Sequence, residues 1–390
     1  MKNTLSITQK CNLDCAYCYI KKHEAVMPID IAEMIINEIF AHAPENEQID
    51  IGFFGGEPLL HFPLIKQIVG MIECHPKFDQ SRIDLDVVTN GTIFNDEIAD
   101  YLTHHNITFC LSCDGPSKIQ DMFRTYPSGA ASSATVENTI IHALRMLPTV
   151  LVNAVYHPST FESLPDVINY FSYLGLKQIY LSPDFSAQWP MKDARKLYGI
   201  YNEIAEQYIA FYLKDDPHYI NLIDSKILVM LKGGYTAADR CAMGRKEFAY
   251  APSGHIYPCE RLIGADDNNQ HCIGHISSGL GHVSPCNNRL KGIMNHECIN
   301  CSIRAYCMNW CGCSNFFSSG NYDRSGPFLC ASEKASITAA NHALRSLETQ
   351  LGPAYIDRMM GFISRTRFVS NLPGSGSHEK KTATVCTNGN

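Results

Sequence analysis

The sequence predicts an α/β fold with a parallel sheet, followed by a small cysteine-rich region. In the first half, strand-like and helix-like segments alternate, which is the pattern of right-handed βαβ units. After about residue 235 the pattern changes to short segments rich in Gly, Pro and Asn, which contain eleven of the chain's 17 cysteines. We therefore expect three parts: residues 1–215, a linker and cysteine-rich region over 216–350, and a C-terminal segment with a flexible tail over 351–390.

Each element is predicted from its own pattern. Nearly continuous apolar runs are typical of strands that are covered on both faces. Six strands are predicted, at 4–9, 49–55, 83–90, 107–112, 149–156 and 177–182, and several of them are such runs. Helical periodicity predicts helices at about 29–42, 61–74, 95–105, 133–147, 162–174 and 192–214, and again over 332–351. Two short apolar runs around Pro252, Ser253 and Gly254 predict a hairpin.

Composition and charge exclude several classes of protein. The chain has 390 residues and a net charge of −7, with no basic tract, so we expect no nucleic-acid partner. No apolar run approaches the roughly 18–20 residues that span a bilayer, and no secretory signal is visible, so we expect a cytoplasmic protein without a membrane partner. In that reducing compartment, clustered cysteines indicate metal ligation rather than disulfides.

The first cysteine cluster follows the first predicted strand. Cys11, Cys15 and Cys18 are spaced C-x-x-x-C-x-x-C, at the end of the strands where α/β folds place their chemistry. Structural zinc sites use four ligands, and no fourth Cys or His is close in sequence. Three thiolates on a four-iron cluster leave one iron free to bind a substrate. The triplet therefore favours an iron–sulfur cluster over zinc.

A second motif follows the second predicted strand at the same edge. Gly55-Gly56-Glu57-Pro58 offers two glycines that let the backbone approach a ligand closely, and a carboxylate that can accept a hydrogen bond from a cation. Taken alone, this stretch could be an ordinary turn. Together with the triplet it predicts a binding site for a charged ligand.

These two motifs resemble those of the radical S-adenosylmethionine (SAM) superfamily, over roughly residues 3–215. The resemblance implies a partial (β/α)6 TIM-like barrel, a [4Fe-4S] cluster on the three cysteines, and reductive cleavage of SAM to a 5′-deoxyadenosyl radical. It also implies an electron donor such as flavodoxin or ferredoxin. By the same resemblance, the expected SAM- and cofactor-binding residues are Tyr17, Gly55, Gly56, Glu57, Ser112, Arg124 and Asn153. Ser112 could instead cap its strand, and Arg124 could form a surface salt bridge.

The later cysteines resemble the SPASM extension of radical SAM enzymes, which holds two auxiliary [4Fe-4S] clusters. Two zinc sites would be the alternative. The resemblance assigns Cys241, Cys259 and Cys311 to the first auxiliary cluster. It assigns the second to Cys298, Cys301, Cys307 and Cys330. The first cluster then lacks one ligand, for which we expect Cys272. Cys313, or a site left open for substrate, are the alternatives, and three clusters are expected in all.

The SPASM resemblance implies an enzyme that modifies a peptide or protein side chain. Our leading hypothesis is a maturase that oxidises a ribosomal peptide and forms a thioether or a carbon–carbon crosslink. A second is an anaerobic sulfatase-maturating enzyme that forms formylglycine, for which Glu260 directly after Cys259 would be the catalytic base. The absence of a cysteine soon after Cys241 departs from the sulfatase maturases. A third hypothesis is a non-catalytic iron–sulfur or zinc-binding protein.

Overall fold

The computed structural model describes residues 1–268, 270–281 and 298–364. Six parallel strands form the centre of one sheet in the order in which they occur in the sequence. They are β1 (Lys2–Thr8), β2 (Ile49–Gly55), β3 (Ile83–Thr89), β4 (Ile107–Ser112), β5 (Val150–Tyr156) and β6 (Gln178–Pro183). This order is that of a partial (β/α)6 barrel, which confirms the predicted fold class, and each strand lies within two residues of its predicted bounds.

Helices connect the strands and cover their outer face. They are α1 (Ile29–His42), α2 (Phe62–Glu73), α3 (Asp96–His104), α4 (Ser117–Phe123), α5 (Ser133–Met146), α6 (Leu164–Leu174) and α7 (Met191–Leu213). In α1 the buried residues recur with a helical period, and Pro28 precedes the first turn. Burying this apolar stripe against the sheet drives the packing of each helix.

The cysteine-rich region extends the same sheet beyond β1. The predicted hairpin is present as β8 (Glu247–Tyr250) and β9 (His255–Tyr257), which pair antiparallel. β8 pairs in parallel with β1, so that Lys2 lies opposite Glu247. The short strands β10 (Gly274–His275) and β11 (Gly279–Leu280) complete this edge, and β7 (Tyr219–Ile220) lies beyond β6 at the other.

Four further helices follow in the described part of the chain, and three of them, like α4, were not predicted from the sequence patterns. They are α8 (Asn221–Leu231), α9 (Gly312–Ser319), α10 (Pro327–Leu351) and α11 (Ala354–Ser364). α10 was predicted, but it begins five residues earlier than its pattern indicated. α8 is buried around much of its circumference and includes the buried Asp224 and Lys226, so it lacks the one-sided pattern that marks a surface helix. The polar tail predicted over 370–390 lies outside the described residues. None of the described helices combines the length and apolar character needed to cross a membrane.

The contact between the ends of β1 and β2 generates a stability prediction. Gly55 has a φ of +133°, and a Cβ atom placed there would lie 2.3 Å from the carbonyl oxygen of Thr8. Gly55→Ala should therefore lower the free energy of unfolding by about 2–3 kcal/mol. Gly70→Ala in α2 is the matched control, since a Cβ there meets no atom within 4 Å. The free energy of unfolding of that control should rise by about 0.5–1 kcal/mol. Urea unfolding of the cofactor-free proteins measures both, and equal effects would contradict the account.

Candidate active site

The loop after β1 presents the cysteine triplet to the interior of the barrel. Backbone hydrogen bonds join it to the segment after α4, from the Asp14 N–H to the Thr125 carbonyl at 2.6 Å and from the Ala16 N–H to the Phe123 carbonyl at 2.9 Å. The Asn90 side-chain amide lies 3.6 Å from the Cys11 sulfur. The loop is thus fixed from two sides while the three thiols remain partly accessible.

The glycine pair is required by its contact with this same loop. The Gly56 N–H donates to the Thr8 carbonyl at 2.7 Å, and the Glu57 N–H donates to the Lys10 carbonyl at 2.8 Å. A Cβ atom on Gly56 would lie 2.2 Å from the Lys10 oxygen. Only a residue without a side chain allows the two segments to approach this closely, which brings the triplet beside the glycine backbone.

Glu57 is positioned differently from the sequence expectation. Its side chain is fully buried and does not line the cavity. One carboxylate oxygen accepts hydrogen bonds from the Leu59 N–H at 3.0 Å and the Thr89 hydroxyl at 2.8 Å, and the other accepts from the Asn90 N–H at 2.7 Å. Burial raises the pKa of Glu57 to about 7. The carboxylate therefore joins the ends of β2 and β3, and the adjacent glycine backbone faces the cavity in its place.

Arg124 forms a buried ion pair rather than a surface salt bridge. Its Nε lies 3.0 Å from a carboxylate oxygen of Asp114, and both side chains are almost completely buried. The guanidinium carbon is 5.3 Å from the centre of the Tyr17 ring, and the Tyr17 hydroxyl donates to Asp114. Asp114 also accepts from the Val155 N–H at 2.9 Å. These contacts orient Tyr17 and Arg124 at the wall of the cavity.

One cavity of about 350 Å³ contains most of the predicted site. Such a volume is typical of small-molecule sites. Ser112 and Asn153 face each other across β4 and β5 at its wall. The predicted residues that line it are Cys11, Cys15, Tyr17, Cys18, Gly55, Gly56, Ser112, Arg124, Asn153 and Glu260. The structure therefore brings a residue of the cysteine-rich region to the same space as the triplet.

Glu260, the predicted catalytic base, lies at this cavity in a charged cluster whose other members, Lys2, Asp86 and Arg261, were missed by sequence reasoning. Burial by itself would raise the pKa of Glu260, but Lys2 and Arg261 outweigh burial and lower it. Burial raises the pKa of Asp86 to about 7. The two-residue period of β1 and β3 could have placed Lys2 and Asp86 on the inner face with Thr4 and Val88. No local pattern indicated that Glu260 would join them.

Cys241, Cys259 and Cys311 pack together as predicted, but Cys272 is elsewhere. The three thiols surround an apolar cluster with Met243 and Leu262. Cys272 packs against a separate cluster that includes Tyr257 and Ile263, and its sulfur lies 3.2 Å from the Gly274 carbonyl oxygen. The expectation that Cys272 joins the other three thiols is therefore wrong. The pairing of β9 with β10 holds Cys272 away from them, in the separate cluster. Cys313 lies beside Cys311 instead.

The second predicted set of cysteines lines a cavity of about 210 Å³. All four of Cys298, Cys301, Cys307 and Cys330 contribute to its wall. A buried ion pair lies beside them, with Lys226 Nζ 2.7 Å from a carboxylate oxygen of Glu333. The same carboxylate accepts from the Met308 N–H at 2.6 Å. Ser182, Pro183 and Phe185 line both cavities and form the partition between them.

Comparison with known proteins agrees with this geometry. The family described as the radical SAM superfamily matches residues 5–171. The radical SAM cyclopropyl synthase TigE of Paramaledivibacter caminithermalis is 24% identical over 340 residues, covering 79% of this chain and 66% of that protein. A cysteine-type anaerobic sulfatase-maturating enzyme of Clostridium novyi is 22% identical over 331 residues, covering 78% of this chain and 85% of that protein.

The solved structure of native anSMEcpe with bound AdoMet and the Cp18Cys peptide has the same fold. It superposes with a TM-score of 0.75 at 18% identity, covering 90% of this chain and 99% of that one. Residues 5–171 therefore form a radical SAM domain, and the chain shares the fold of anSMEcpe. It spans about two thirds of the length of the cyclopropyl synthase.

The described residues fit the cofactors of this family, which are a [4Fe-4S] cluster and SAM. The three thiols of the triplet line one cavity together with the exposed glycine backbone. Burial raises the pKa of Cys11 to about 11, so its proton is retained until a metal displaces it. No three His, Cys, Asp or Glu side chains in the described parts of the chain lie close enough to hold a single metal ion. Three thiols lining one cavity suit a four-iron cluster, in which separate irons each take one thiolate.

The buried carboxylate of Glu57 makes a pH-dependent contribution to stability. Its pKa is about 7 in the folded protein and near 4.5 in the unfolded chain. A raised folded pKa stabilises the protein below pH 4.5, and that contribution disappears as the pH rises through 7. Relative to Glu57→Gln, the free energy of unfolding of the cofactor-free wild type should fall by up to about 3 kcal/mol as the pH rises from 4.5 to 7.

Urea unfolding of both proteins at pH 4.5, 6 and 8 measures this difference. Glu33→Gln, on the exposed face of α1, removes the same charge at the surface and is the matched control. The assignment of Glu57 as a buried titrating group predicts that the difference in free energy of unfolding between wild type and Glu57→Gln changes with pH. A difference that stays constant over this range would contradict it.

Proposed function

We propose that this chain oxidises a ribosomal peptide and joins two of its groups by a thioether or carbon–carbon bond. The observation that carries the proposal is the shared cavity, to which the barrel contributes the triplet and the glycine pair and the cysteine-rich region contributes Glu260 and Arg261. A substrate side chain in this cavity would contact both parts of the protein. The similarity to TigE, a cyclopropyl synthase, and the peptide bound to anSMEcpe support a peptide substrate.

The proposed ligands divide into three sets. Cys11, Cys15 and Cys18 would hold the first cluster, and the two groups of later cysteines would hold two auxiliary clusters. When bound, the first cluster and SAM would supply one-electron chemistry that removes a hydrogen atom from the substrate, and an auxiliary cluster would accept the second electron of the oxidation while a base accepts the proton. The protein would receive its electron from a reduced carrier such as flavodoxin or ferredoxin.

The roles of the cavity residues follow from their positions. The backbone of Gly55 and Gly56 would face the SAM ammonium, because the Glu57 carboxylate is bonded within the protein. Ser112 and Asn153 offer hydrogen-bonding groups on the opposite wall, and Arg124 offers a cation whose position the Asp114 carboxylate fixes. Tyr17 packs against Arg124 and closes the wall beside the triplet. These groups orient a charged ligand and exclude water from it.

Glu260 is our candidate for the group that accepts a substrate proton. It lines the cavity, and Lys2 and Arg261 favour its carboxylate form. The same side chain lies 3.4 Å from the Cys259 sulfur. A base at this position would lie between the substrate space and the first auxiliary cysteine group.

Formylglycine formation on a sulfatase is the second candidate function. The acidic residue directly after Cys259 favours it, as does the similarity to the sulfatase-maturating enzyme. The surroundings of Cys241 do not favour it. The Glu247 carboxylate lies 3.3 Å from the Cys241 sulfur, in the segment where the sulfatase maturases have a cysteine.

Mass spectrometry of anaerobic reactions tests the proposal. The reconstituted enzyme, SAM and dithionite are incubated with short peptides encoded beside its gene, or with a sulfatase peptide that contains Cys or Ser. We expect a neighbouring peptide to lose two hydrogen atoms and to give crosslinked fragments. An aldehyde on the sulfatase peptide, captured with an aminooxy probe, would contradict the crosslinking proposal and support the second candidate.

The same reactions test the role of Glu260. Glu260→Gln should lower product formation by about 100-fold or more, the usual loss when a general base is removed, while formation of 5′-deoxyadenosine continues. Glu33→Gln on α1 is the control for the change in net charge. An unchanged ratio of product to 5′-deoxyadenosine in Glu260→Gln would dismiss Glu260 as the base.

A further inference from the structure

Four thiols, not three, meet beside the hairpin of the cysteine-rich region. We define the thiol cluster as Cys241, Cys259, Cys311 and Cys313. The sulfur atoms of Cys311 and Cys313 are 3.8 Å apart, and Cys259 packs against the same apolar cluster as Cys313. Cys313 is 6% exposed and packs in the same apolar cluster as the other three. The donor set is therefore complete in number for one four-iron cluster.

The start of α9 explains how two cysteines so close in sequence both reach this cluster. Cys311 is the N-terminal capping residue of α9 and has extended backbone, while Cys313 lies in the first turn. Gly312, the first residue of α9, lies between them, so both thiols lie at the N-terminal end of the helix. The Cys311 sulfur also lies 3.2 Å from the Ser314 hydroxyl. The spacing of the two cysteines in the sequence did not indicate this local geometry.

Two other residues could complete the set, and both are less suited to it. Cys272 packs in a separate apolar cluster. The Glu247 carboxylate is near Cys241, but it also accepts the Ala242 N–H at 3.0 Å. Iron–sulfur clusters are held by thiolates in preference to carboxylates. Among the cysteines that the structure describes, Cys313 is the thiol that remains.

We propose that Cys313 is the fourth ligand of the first auxiliary cluster, together with Cys241, Cys259 and Cys311. The inference rests on the proposed function, which places a cluster there. It makes this site closed, so that no iron in it is free to bind a substrate thiol. Substrate would then be held by the cavity residues alone.

Arg261 gives independent support for a cluster with four thiolate ligands, which is more negative than a cluster with three. Its guanidinium interacts electrostatically with both Cys313 and Cys259. The same group lies 4.6 Å from the centre of the Phe185 ring, in the partition between the two cavities. A fourth thiolate adds one negative charge, and a fixed cation beside it offsets that charge in a buried site.

The test uses the full chain in a Cys11→Ala/Cys15→Ala/Cys18→Ala background, which leaves only the auxiliary clusters. The parent should hold about eight iron atoms per chain, from two four-iron clusters. Cys313→Ala should hold about four fewer, or keep the iron but change the electron paramagnetic resonance spectrum of the reduced protein. Cys272→Ala is the matched control and should match the parent in both measurements.

Cys313→Ser is the second variant in case Cys313→Ala does not fold, as judged by circular dichroism. Serine preserves the shape of the side chain but offers oxygen in place of sulfur, so the spectrum of the reduced cluster should shift. A Cys313→Ser or Cys313→Ala protein with the iron content and spectrum of the parent would overturn the assignment. So would loss of a cluster in Cys272→Ala or Glu247→Ala.

These readouts need no substrate and no SAM cleavage. Failure of the peptide-modifying proposal therefore leaves the iron count and the spectra unaffected. Conversely, an unchanged Cys313→Ala spectrum in an enzyme that still crosslinks peptide would overturn only the ligand assignment.

Discussion

The site depends on the close approach of the ends of β1 and β2. Hydrogen bonds from Gly56 and Glu57 to the carbonyls of Thr8 and Lys10 hold the two segments together, with no room for a side chain at either glycine. The cysteine loop begins directly after Lys10, so this contact determines where the triplet lies. Glu57 extends the same constraint to β3 by accepting hydrogen bonds from Thr89 and Asn90.

The second organising feature is the continuous sheet that joins the barrel to the cysteine-rich region. Parallel pairing of β8 with β1 places Glu247 opposite Lys2, and the hairpin then brings Glu260 and Arg261 into the cavity. Buried charges are costly unless charges of opposite sign offset them, and Lys2 and Arg261 favour the charged form of Glu260 here. The balance among Lys2, Asp86, Glu260 and Arg261 therefore depends on both parts of the chain being in place.

Most of the barrel could be predicted from local patterns. Apolar runs marked several of the six strands because both of their faces are buried, whereas β3 alternates buried and half-buried residues. The cysteine spacing and the Gly55-Gly56 pair marked the site because few residue types permit that chemistry and that contact. What could not be predicted depends on tertiary contacts. The Glu57 carboxylate faces Thr89 and Asn90 rather than the cavity, although those residues are more than thirty positions away in sequence. Cys313 joins the thiol cluster, in place of Cys272, through the turn at the start of α9.

The central claim is that the triplet creates a site for SAM beside the glycine backbone. Reductive cleavage of SAM tests this claim most directly. Reconstituted protein is reduced with dithionite under anaerobic conditions, and 5′-deoxyadenosine is measured by liquid chromatography and mass spectrometry. Wild type should form it, as should Cys110→Ala, which alters a buried thiol within β4. Cys15→Ala should form none. Equal formation by Cys15→Ala and wild type would contradict the account.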